Sequence, residues 1–377
     1  MEKINAVPNR TPIKLLTMEY PPVRGGAGVY CEELAHAAEK LGTDLEVWAP
    51  EGSRSESGVK IIELPLKGSQ GWGCSWKIRK FIQKIKLSET TLHIADSGAL
   101  RAMIRFGRTL PKPARLIITI HGSEIPKFSR NPIEGLLFRN LLQGADKIHV
   151  LSKYNQEKVI DFCPQVKDRI LLIPGAPASQ VLPYENSLPS RNYNRGHIIL
   201  LCVGRIHPRK GQLELLHAVE RLPSHLKQHM TCQFVGPYVK QGYAKKVFDK
   251  AHAVGCEVQF LGDLKTKALQ KAYQEADLFA LTSMPMANSV EGFGFVYLEA
   301  SAHGLPIVAH RVGGVEDAVV DGETGSLCDP AKPHELTENL RQLIEDPEKR
   351  KLLGYAGIKW AGKHSWKHVV EKLYDLE

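Results

Sequence analysis

The chain has 377 residues, of which 43% are hydrophobic and 24% charged, a composition that excludes a disordered or low-complexity protein. This length exceeds what a single hydrophobic core usually organises, so two domains are expected. The formal net charge is +9. Residues 1–185 carry 26 Lys and Arg against 19 Asp and Glu, whereas residues 186–377 carry 24 against 22. The basic excess in the first half predicts an anionic partner there.

Membrane-spanning and disulfide-rich classes are also disfavoured. No apolar stretch reaches the roughly 20 residues that a membrane-spanning helix needs, and the first residues lack the apolar core of a signal peptide. Seven cysteines are scattered along the chain without a C-x-x-C pair. This pattern predicts reduced thiols and a cytoplasmic location.

Short apolar segments alternate with amphipathic ones in the first half of the chain. The segments predicted as strands are 13–18, 45–50, 91–95, 115–120 and 147–151, and those predicted as helices are 28–41, 98–108, 133–144 and 153–162. This alternation is typical of a mostly parallel sheet that is covered by helices on both faces.

A segment rich in Pro, Ser, Asn and Gly, residues 172–196, interrupts the alternation and predicts a linker. Beyond it the alternation resumes, with strands predicted at 197–205, 231–236, 257–262, 277–283 and 306–311, a helix near 211–221, and further helices from about 333. The chain therefore predicts two Rossmann-like domains that share an architecture without clear sequence self-similarity.

Residues that follow strands are the candidates for a site, because ligands of open α/β sheets bind beyond the carboxyl ends of the strands. Gly25 and Gly26 follow the first strand and precede a helix, as in an anion-binding loop, although a tight turn is the alternative. His121 either meets a substrate or caps the end of its strand. Asp96 either belongs to the site or caps the helix that follows it.

The corresponding loop of the second half contains Arg205 and Lys210, shortly before a predicted helix. Two cations at the start of a helix suit a diphosphate, because charge-assisted hydrogen bonds are the strong ones. A solvated basic turn is the alternative. Of the cations in this loop, Arg209 is expected to be the solvated one.

A second loop of this half places Gly-Phe-Gly, residues 292–294, between Glu291 and Glu299. Glycines let the backbone approach a ligand closely, and a helix predicted to begin near Phe295 would direct its dipole at the same point. Carboxylates only accept hydrogen bonds and so suit the neighbouring hydroxyls of sugars. Glu299 is therefore expected to bind a ribose, and Glu291 the hydroxyls of a second sugar.

These loops resemble a known family. The sequence G-R-I-H-P-R-K-G-Q at 204–212, followed by E-G-F-G-F-V-Y-L-E-A at 291–300, resembles the donor site of family-4 glycosyltransferases with the GT-B fold. P-P-V-R-G-G at 21–26 and H-G-S-E at 121–124 resemble the N-terminal glycine loop and the pocket histidine of that family. Together these motifs span nearly the whole chain. In motif they are most similar to phosphatidylinositol mannoside mannosyltransferases.

The resemblance implies an α/β chain of the GT-B type, with two Rossmann-like domains that face each other across a cleft. It implies an acceptor-binding domain at 1–175 and a nucleotide-sugar-binding domain at 176–357. The family's final helix crosses back to the first domain, which here would be residues 358–377.

Residue roles follow from the same resemblance. Arg205 and Lys210 would hold the donor diphosphate, and His121 would contact the sugar near the acceptor. Glu19 stands where close relatives are expected to have Asp, which argues against a catalytic role for it. The implied catalytic residues are His121, Glu291, Lys210 and Arg205, and the implied substrate-binding residues are Gly25, Gly26, Arg205, Lys210, Glu291, Gly292, Phe293, Gly294, Phe295 and Glu299.

The expected reaction is retaining transfer of a hexose from a UDP- or GDP-sugar to a lipid or saccharide acceptor in glycan, glycolipid or cell-envelope biosynthesis. No metal or other cofactor is expected, because the chain lacks the D-x-D motif of the other large glycosyltransferase fold, and no nucleic acid is expected as a partner. The alternatives are an isomerase or hydrolase of nucleotide sugars with this fold, and a binding protein without turnover. Two i, i+4 histidine pairs, His225/His229 and His364/His368, have zinc-ligand spacing but no evident third ligand.

Residues 71–87 intersperse Lys and Arg with apolar residues. Ile78, Phe81, Ile82 and Ile85 make one apolar face at helical spacing, and the cations of the 77–86 segment flank it. A basic amphipathic helix favours peripheral docking on an anionic membrane surface, at the cytoplasmic face. The alternative is a helix that covers the sheet and buries its apolar face in the core.

Overall fold

Two parallel β-sheets organise the chain, which confirms the predicted α/β class. The structure is a computed structural model and describes residues 11–22, 25–55, 57–66, 71–183, 196–287 and 289–376. The chain divides into two units. The first consists of Met1–Ile173 with Trp366–Glu377, and the second of Pro174–Ser365. Of the predicted linker, residues 184–195 lie outside the described residues, as do Val23 and Arg24 of the glycine loop.

The first unit contains a seven-stranded sheet. Its strands are β1 (Ile13–Leu16), β2 (Leu45–Pro50), β3 (Lys60–Leu64), β4 (Thr91–Ile94), β5 (Arg115–Ile120), β6 (Lys147–Val150) and β7 (Ile170–Leu172). Its helices before the chain leaves this unit are α1 (Gly26–Lys40), α2 (Trp72–Ile82), α3 (Ser97–Phe106), α4 (Glu124–Phe128), α5 (Pro132–Gln143) and α6 (Lys153–Phe162). The strand order is β3-β2-β1-β4-β5-β6-β7, and each pair is parallel.

The second unit contains a six-stranded parallel sheet. Its strands are β8 (Ile198–Val203), β9 (Met230–Val235), β10 (Glu257–Gly262), β11 (Leu278–Leu281), β12 (Ile307–His310) and β13 (Gly325–Cys328). Its helices are α7 (Gln212–Glu220), α8 (Ser224–Lys227), α9 (Gln241–Ala253), α10 (Thr266–Glu275), α11 (Phe295–Ala302), α12 (Val315–Ala318), α13 (Pro333–Glu345) and α14 (Pro347–Ala361). The strand order is β10-β9-β8-β11-β12-β13.

The last helix, α15 (Trp366–Tyr374), belongs to the first unit and packs against α1. Its Tyr374 hydroxyl shares a 2.8 Å hydrogen bond with Nδ1 of His93, and the Trp366 ring contacts the Tyr30 ring at a centroid distance of 5.7 Å. The sequence interpretation started this segment at 358. Residues 358–361 instead complete α14 in the second unit, and the chain enters the first unit at Trp366.

The sheet topology determines where loops separate. In the first unit β1 lies between β2 and β4, and in the second β8 lies between β9 and β11. The strand order reverses at these points, so the loops after the two central strands diverge and leave a crevice at the carboxyl edge of the sheet. The loops after β8 and β11 contain the cations and acids that the sequence singles out.

The burial of the α2 side chains distinguishes the two interpretations of the basic segment 71–87. Ile78 and Ile82 are at most 1% exposed and lie in the core of the first unit, with Phe81 packed beside them. The apolar face therefore covers the sheet, which confirms the core alternative for these residues. Trp72 and Trp76 nevertheless remain 65% and 45% exposed. Within the described residues, no helix combines the length and hydropathy needed to cross a bilayer.

Candidate active site

The loop after β8 presents three cations at the carboxyl edge of the second sheet. Arg205 is exposed, whereas the side chains of Arg209 and Lys210 are 14% and 13% exposed. The expectation that Arg209 is solvated is wrong, because its Nη1 donates a 2.9 Å hydrogen bond to Oε2 of Glu291. The loop thus holds two cations at fixed positions and one in solvent.

Glu291 joins this loop to the loop after β11. Its Oε2 accepts from Nζ of Lys210 at 2.6 Å, from Arg209, and from Oγ of Ser283 at 2.9 Å. Burial on its own would raise the pKa of Glu291, but the charges of Lys210 and Arg209 outweigh it and lower the pKa to about 2. Burial lowers the pKa of Lys210, and the Glu291 carboxylate opposes that shift. The cluster is therefore an ion triad, with a carboxylate that stays ionised.

Helix α11 begins at Phe295, as predicted, and its N-terminus lies beside this triad in the chain. Gly294 is the N-cap residue with φ of +90°, and a Cβ there would overlap the ring of Tyr297. A side chain at this position would therefore be strained as well as crowded. Phe293 and Phe295 are 2% and 9% exposed, so what this segment can offer a ligand is its backbone. The backbone N–H groups at a helix N-terminus suit an anionic ligand.

Glu299 lies one turn inside α11 and has a different environment from Glu291. It is 6% exposed, and Tyr273 donates a 2.8 Å hydrogen bond to its Oε2. Burial raises the pKa of Glu299 to about 7, although the Tyr273 hydroxyl counteracts part of this effect. The structure therefore separates the two predicted acids, because one is ion-paired and the other is close to half-protonated at neutral pH.

Residues that the sequence interpretation did not single out hold these loops in place. Thr282 Oγ1 donates to the carbonyl of Gly211 at 2.6 Å, and the buried His310 donates from Nδ1 to the carbonyl of Ser283 at 3.2 Å. These bonds tie the end of β11 to the loop after β8 and to the end of β12. The sequence does contain a signal for Thr282 and Ser283, because these two polar residues end the otherwise apolar run 277–283.

In the first unit, Asp96 has the capping role that the sequence left open. Its Oδ1 accepts from the backbone N–H groups of Gly98 at 2.6 Å and Ala99 at 2.9 Å, which caps α3. Its Oδ2 accepts from Thr17 Oγ1 at 2.5 Å and from the backbone N–H groups of Met18 and Glu19. Asp96 thus fastens the loop after β1 to the start of α3.

His121 follows β5, and its Nε2 lies 2.7 Å from the carbonyl oxygen of Ala95. A carbonyl only accepts, so Nε2 carries the proton and Nδ1 of the neutral ring is an acceptor. The backbone N–H of His121 donates to Glu124, and the His121 ring contacts the Tyr30 ring at 5.0 Å. The histidine is therefore fixed at the carboxyl edge, with one ring nitrogen available to accept from a hydroxyl.

The glycine loop of the first unit has a carboxylate beside it. Gly25 is the N-cap residue of α1 and Gly26 is its first residue. A Cβ at Gly25 would overlap Oε2 of Glu19. Glycine at 25 therefore makes room for the Glu19 side chain at the start of α1. The Glu19 carboxylate would repel an anion bound near Gly25.

The two histidine pairs are candidate metal ligands because of their spacing. Among the described residues, no three His, Cys, Asp or Glu side chains come together as a metal-ligand group. His364 donates from Nδ1 to the carbonyl of Trp360 at 2.9 Å, and His225 and His229 are both exposed.

Two family models match the two units. The model described as Glycosyltransferase Family 4 matches residues 24–176, and the model described as Glycosyl transferases group 1 matches residues 184–360. The chain belongs to glycosyltransferase family 4. The motif resemblance is thereby confirmed, and so is the GT-B fold class that it implied.

Curated relatives include a GDP-mannose-dependent alpha-(1-6)-phosphatidylinositol monomannoside mannosyltransferase from Mycolicibacterium smegmatis. It is 27% identical over 368 residues, which cover 92% of this chain and 93% of the relative. A D-inositol 3-phosphate glycosyltransferase from Corynebacterium diphtheriae is 36% identical over 181 residues, 46% of this chain and 41% of the relative.

Solved structures share the fold along nearly the whole chain. HepE from Anabaena, in complex with UDP and glucose, has a TM-score of 0.77 at 20% identity and covers 97% of this chain and 99% of its own. A sucrose-phosphate synthase from Thermosynechococcus elongatus has a TM-score of 0.79 at 20% identity, with coverage of 97% and 98%.

Proposed function

We propose that this glycosyltransferase moves a hexose, with retention of configuration and without a metal ion, from a nucleotide-diphosphate sugar to a lipid or saccharide acceptor. The observation that carries the proposal is the cluster of Lys210 and Arg209 on Glu291, next to exposed Arg205 and the N-terminus of α11. This cluster has the charge and donor geometry that a diphosphate needs.

The second unit would bind the donor. Lys210 and Arg205 hold the diphosphate, and the backbone around Gly294 adds neutral donors to the phosphate or sugar. Glu299 accepts from the ribose hydroxyls, and Glu291 from the transferred sugar. The buried rings at 293 and 295 keep that backbone in position rather than contacting the ligand. The first unit, with His121 and the loop at Gly25 and Gly26, would bind the acceptor and the near side of the sugar.

The chemistry follows from these roles. The leaving diphosphate develops negative charge, which Lys210 stabilises at a fixed position in a site with little solvent. The acceptor hydroxyl attacks on the face that the leaving group departs from, and its proton passes to a donor phosphate oxygen. Retention of configuration results, and no protein carboxylate acts as a nucleophile.

Two relatives guide the choice of donor and acceptor. One is named as GDP-mannose-dependent and acts on a phosphatidylinositol mannoside, and another is named for D-inositol 3-phosphate. We therefore place GDP-mannose and a phosphoinositide-type glycolipid first in the assay panel, with UDP-sugars and soluble inositol phosphate as the competing pairs. Both acceptors, the phosphoinositide-type glycolipid and inositol phosphate, carry a phosphate, which suits the basic first half of the chain.

The decisive test is transfer of radiolabelled sugar from GDP-mannose, UDP-glucose or ADP-glucose into lipid and water-soluble fractions. The proposal expects product with one donor class, the same anomeric configuration as the donor by NMR, and unchanged rates in EDTA. An inverted linkage would contradict the front-face mechanism. Loss of activity in EDTA, restored by a divalent ion, would contradict metal independence. Release of free sugar alone would favour the hydrolase alternative, and binding without turnover would favour the non-catalytic one.

A surface on α2 supports a membrane-bound acceptor. Lys80 Nζ lies 3.6 Å from the ring centroid of exposed Trp76, and the Arg105 guanidinium lies 4.3 Å from the ring of exposed Trp72. Exposed Trp with adjacent cations suits the interface of an anionic bilayer, where each cation contributes up to about 1 kcal/mol. Vesicle cosedimentation should rise with anionic lipid and fall with salt. The triple change Lys77→Ser, Lys80→Ser and Lys84→Ser should weaken it, whereas the matched change Lys245→Ser on α9 should not. Equal binding to neutral vesicles would contradict the proposal.

A further inference from the structure

Two cysteines that are far apart in the sequence come together at the amino edge of the second sheet. Cys232 is the third residue of β9, and Cys256 immediately precedes β10. Their sulfur atoms lie 3.8 Å apart. Strands β9 and β10 pair Thr231 with Glu257 and Cys232 with Val258, so Cys256 lies diagonally across from Cys232 at the start of β10. Both are free thiols in this structure.

The two thiols have different environments. Cys232 is 1% exposed, whereas Cys256 is partly exposed. The Cys232 thiol donates a hydrogen bond that lowers the pKa of Cys256, and the Lys227 ammonium lowers it further, whereas burial and the charge of Glu257 oppose this shift. That ammonium lies over the preceding residue, since a Cβ added at Gly255 would be 3.3 Å from Nζ of Lys227. A partly exposed thiolate near a cation is the reactive form of cysteine, and a buried neighbour is placed to resolve it.

We propose that Cys256 and Cys232 form a peroxide-oxidised disulfide site, in which Cys256 reacts first and Cys232 resolves. In the first step the Cys256 thiolate attacks hydrogen peroxide, the O–O bond breaks, and with one proton the products are Cys256 sulfenic acid and water. In the second step the Cys232 sulfur attacks the sulfenic sulfur, the S–O bond breaks, and the thiol proton leaves with the hydroxyl as water. Two electrons pass from the two thiols to the peroxide.

The two sulfurs must approach each other before a bond can form. A disulfide has its sulfurs about 2.05 Å apart, so the 3.8 Å separation must shrink by less than about 2 Å. Because β10 is the edge strand of its sheet, the cross-link would fasten an edge strand to its neighbour. No sequence motif marks the pair, because 23 residues separate the two cysteines and a C-x-x-C motif is absent.

The site lies at the opposite end of the strands from Lys210 and Glu291, which follow the carboxyl ends of β8 and β11. We therefore expect oxidation to leave nucleotide affinity unchanged. The cross-link closes a loop in the unfolded chain and so should raise the melting temperature of the oxidised protein. The inference does not rest on the proposed transfer reaction, and its test requires no sugar donor.

The test treats the reduced full-length protein with hydrogen peroxide and maps its thiols by alkylation and mass spectrometry. The proposal expects a reductant-sensitive peptide pair linking Cys232 and Cys256, and a higher melting temperature that dithiothreitol reverses. Cys256→Ser should abolish the cross-link. Cys232→Ser should instead accumulate a sulfenic acid at Cys256 that dimedone traps. Cys74→Ser is the matched control, since Cys74 is also partly exposed but burial raises its thiol pKa, and this variant should behave as the unchanged protein does.

Three results would overturn the proposal. One is a wild-type protein whose Cys256 remains a sulfenic acid without cross-linking. Another is preferential oxidation of Cys74 over Cys256. The third is a disulfide that forms between molecules rather than within one, which non-reducing electrophoresis would reveal.

Discussion

The two units have the same architecture and place polar residues at the same edge of their sheets, but these residues have different kinds of hydrogen-bond partner in the two units. In the first unit, Asp96 accepts from four backbone N–H groups and one hydroxyl, and the His121 ring donates to a backbone carbonyl. In the second unit, Lys210 and Arg209 are paired with the side chain of Glu291. The first edge is tied to the main chain, and the second is held by ion pairs between side chains.

This difference bears on function. A hydrogen bond to the main chain fixes a loop, and breaking it leaves a buried group without a partner. An ion pair between side chains can be exchanged, because phosphate oxygens, like carboxylate oxygens, accept charge-assisted hydrogen bonds from a cation. Under the proposed function, the cations of the second unit exchange Glu291 for a diphosphate, and the carboxylate then accepts hydrogen bonds from sugar hydroxyls. We therefore expect ligand binding to exchange ion-pair partners in the second unit rather than in the first.

The largest expected effect comes from Lys210→Ala. It removes a charge-assisted contact to the diphosphate, which should weaken binding of the bare nucleotide by roughly 1.5–3 kcal/mol. It should slow transfer further, because losing one stabilising donor at a leaving group costs about 100- to 1,000-fold in rate. Calorimetry with GDP and UDP measures the first effect, and single-turnover transfer measures the second. The exposed Lys245→Ala on α9 controls for net charge. Unchanged nucleotide affinity in Lys210→Ala would remove the basis for placing the donor here.

Asp96→Ala should act on stability rather than on donor binding. The change removes the cap of α3 and leaves the N–H groups of the β1 loop without their acceptor, at a cost of about 1–3 kcal/mol. Asp346→Ala is the matched control, since Asp346 caps α14 through one hydrogen bond, to the N–H of Lys349 at 2.8 Å. Urea unfolding should show the larger loss for Asp96→Ala, with nucleotide affinity unchanged in both variants. If Asp96→Ala lost transfer while keeping its stability, the residue would belong to the catalytic machinery.

The sequence predicted the periodic and apolar parts of the fold well. Strands 45–50, 115–120 and 257–262 and helix 153–162 have the predicted bounds. Strands 45–50 and 115–120 lie inside the first sheet and are largely apolar runs between turn residues, as buried parallel strands usually are. Strands β3, β7 and β13 were missed. Strand β7 has only three residues, and its last residue, Leu172, begins the segment that was interpreted as a linker. The segment Lys60–Leu64 is charged at intervals and largely at the surface, and Gly325–Cys328 is short and begins with glycine, so neither carries the pattern of a buried strand.

The candidate site was less accessible to sequence reasoning. The motifs located the loops, and the start of α11 at Phe295 was as expected. The partners of each side chain were not predictable, because they depend on which loops the strand order brings together. Glu291 meets Arg209 and Lys210 since β8 and β11 are neighbours in the sheet, although about 80 residues separate them in the chain.

The acid that is not ion-paired offers a pH test of the comparison. Because the pKa of Glu299 is raised to about 7 in the free protein, and ribose hydroxyls favour its ionised form, binding should release a proton. Nucleotide affinity should therefore fall as pH decreases below about 7, by at most about tenfold per pH unit. Glu299→Gln should remove this dependence and leave the contribution from phosphate titration. The stability of the unliganded protein depends on pH with the opposite sign. Because the pKa of Glu299 is raised in the folded state, this residue favours folding at low pH, and its contribution is lost as pH rises from about 4.5 through 7. A pH profile unaffected by Glu299→Gln would place the ribose elsewhere.

The smallest effect should come from Tyr374→Phe, which tests how the last helix is held on the first unit. The Tyr374 hydroxyl bonds His93, whose Nε2 lies 2.7 Å from Thr119 Oγ1, and that hydroxyl lies 3.1 Å from the Tyr30 hydroxyl. Removing one hydroxyl from this buried chain should cost about 1 kcal/mol and speed amide exchange in α15 roughly fivefold. Tyr355→Phe, at a ring that is 48% exposed, should change neither. Nucleotide affinity should also stay constant, because the residues proposed to bind the nucleotide lie in the second unit and are held by ion pairs within that unit. If Tyr374→Phe weakened nucleotide binding as strongly as Lys210→Ala, the hydrogen-bonded chain of the first unit would be part of the donor site, and the separation of roles between the two units would be wrong.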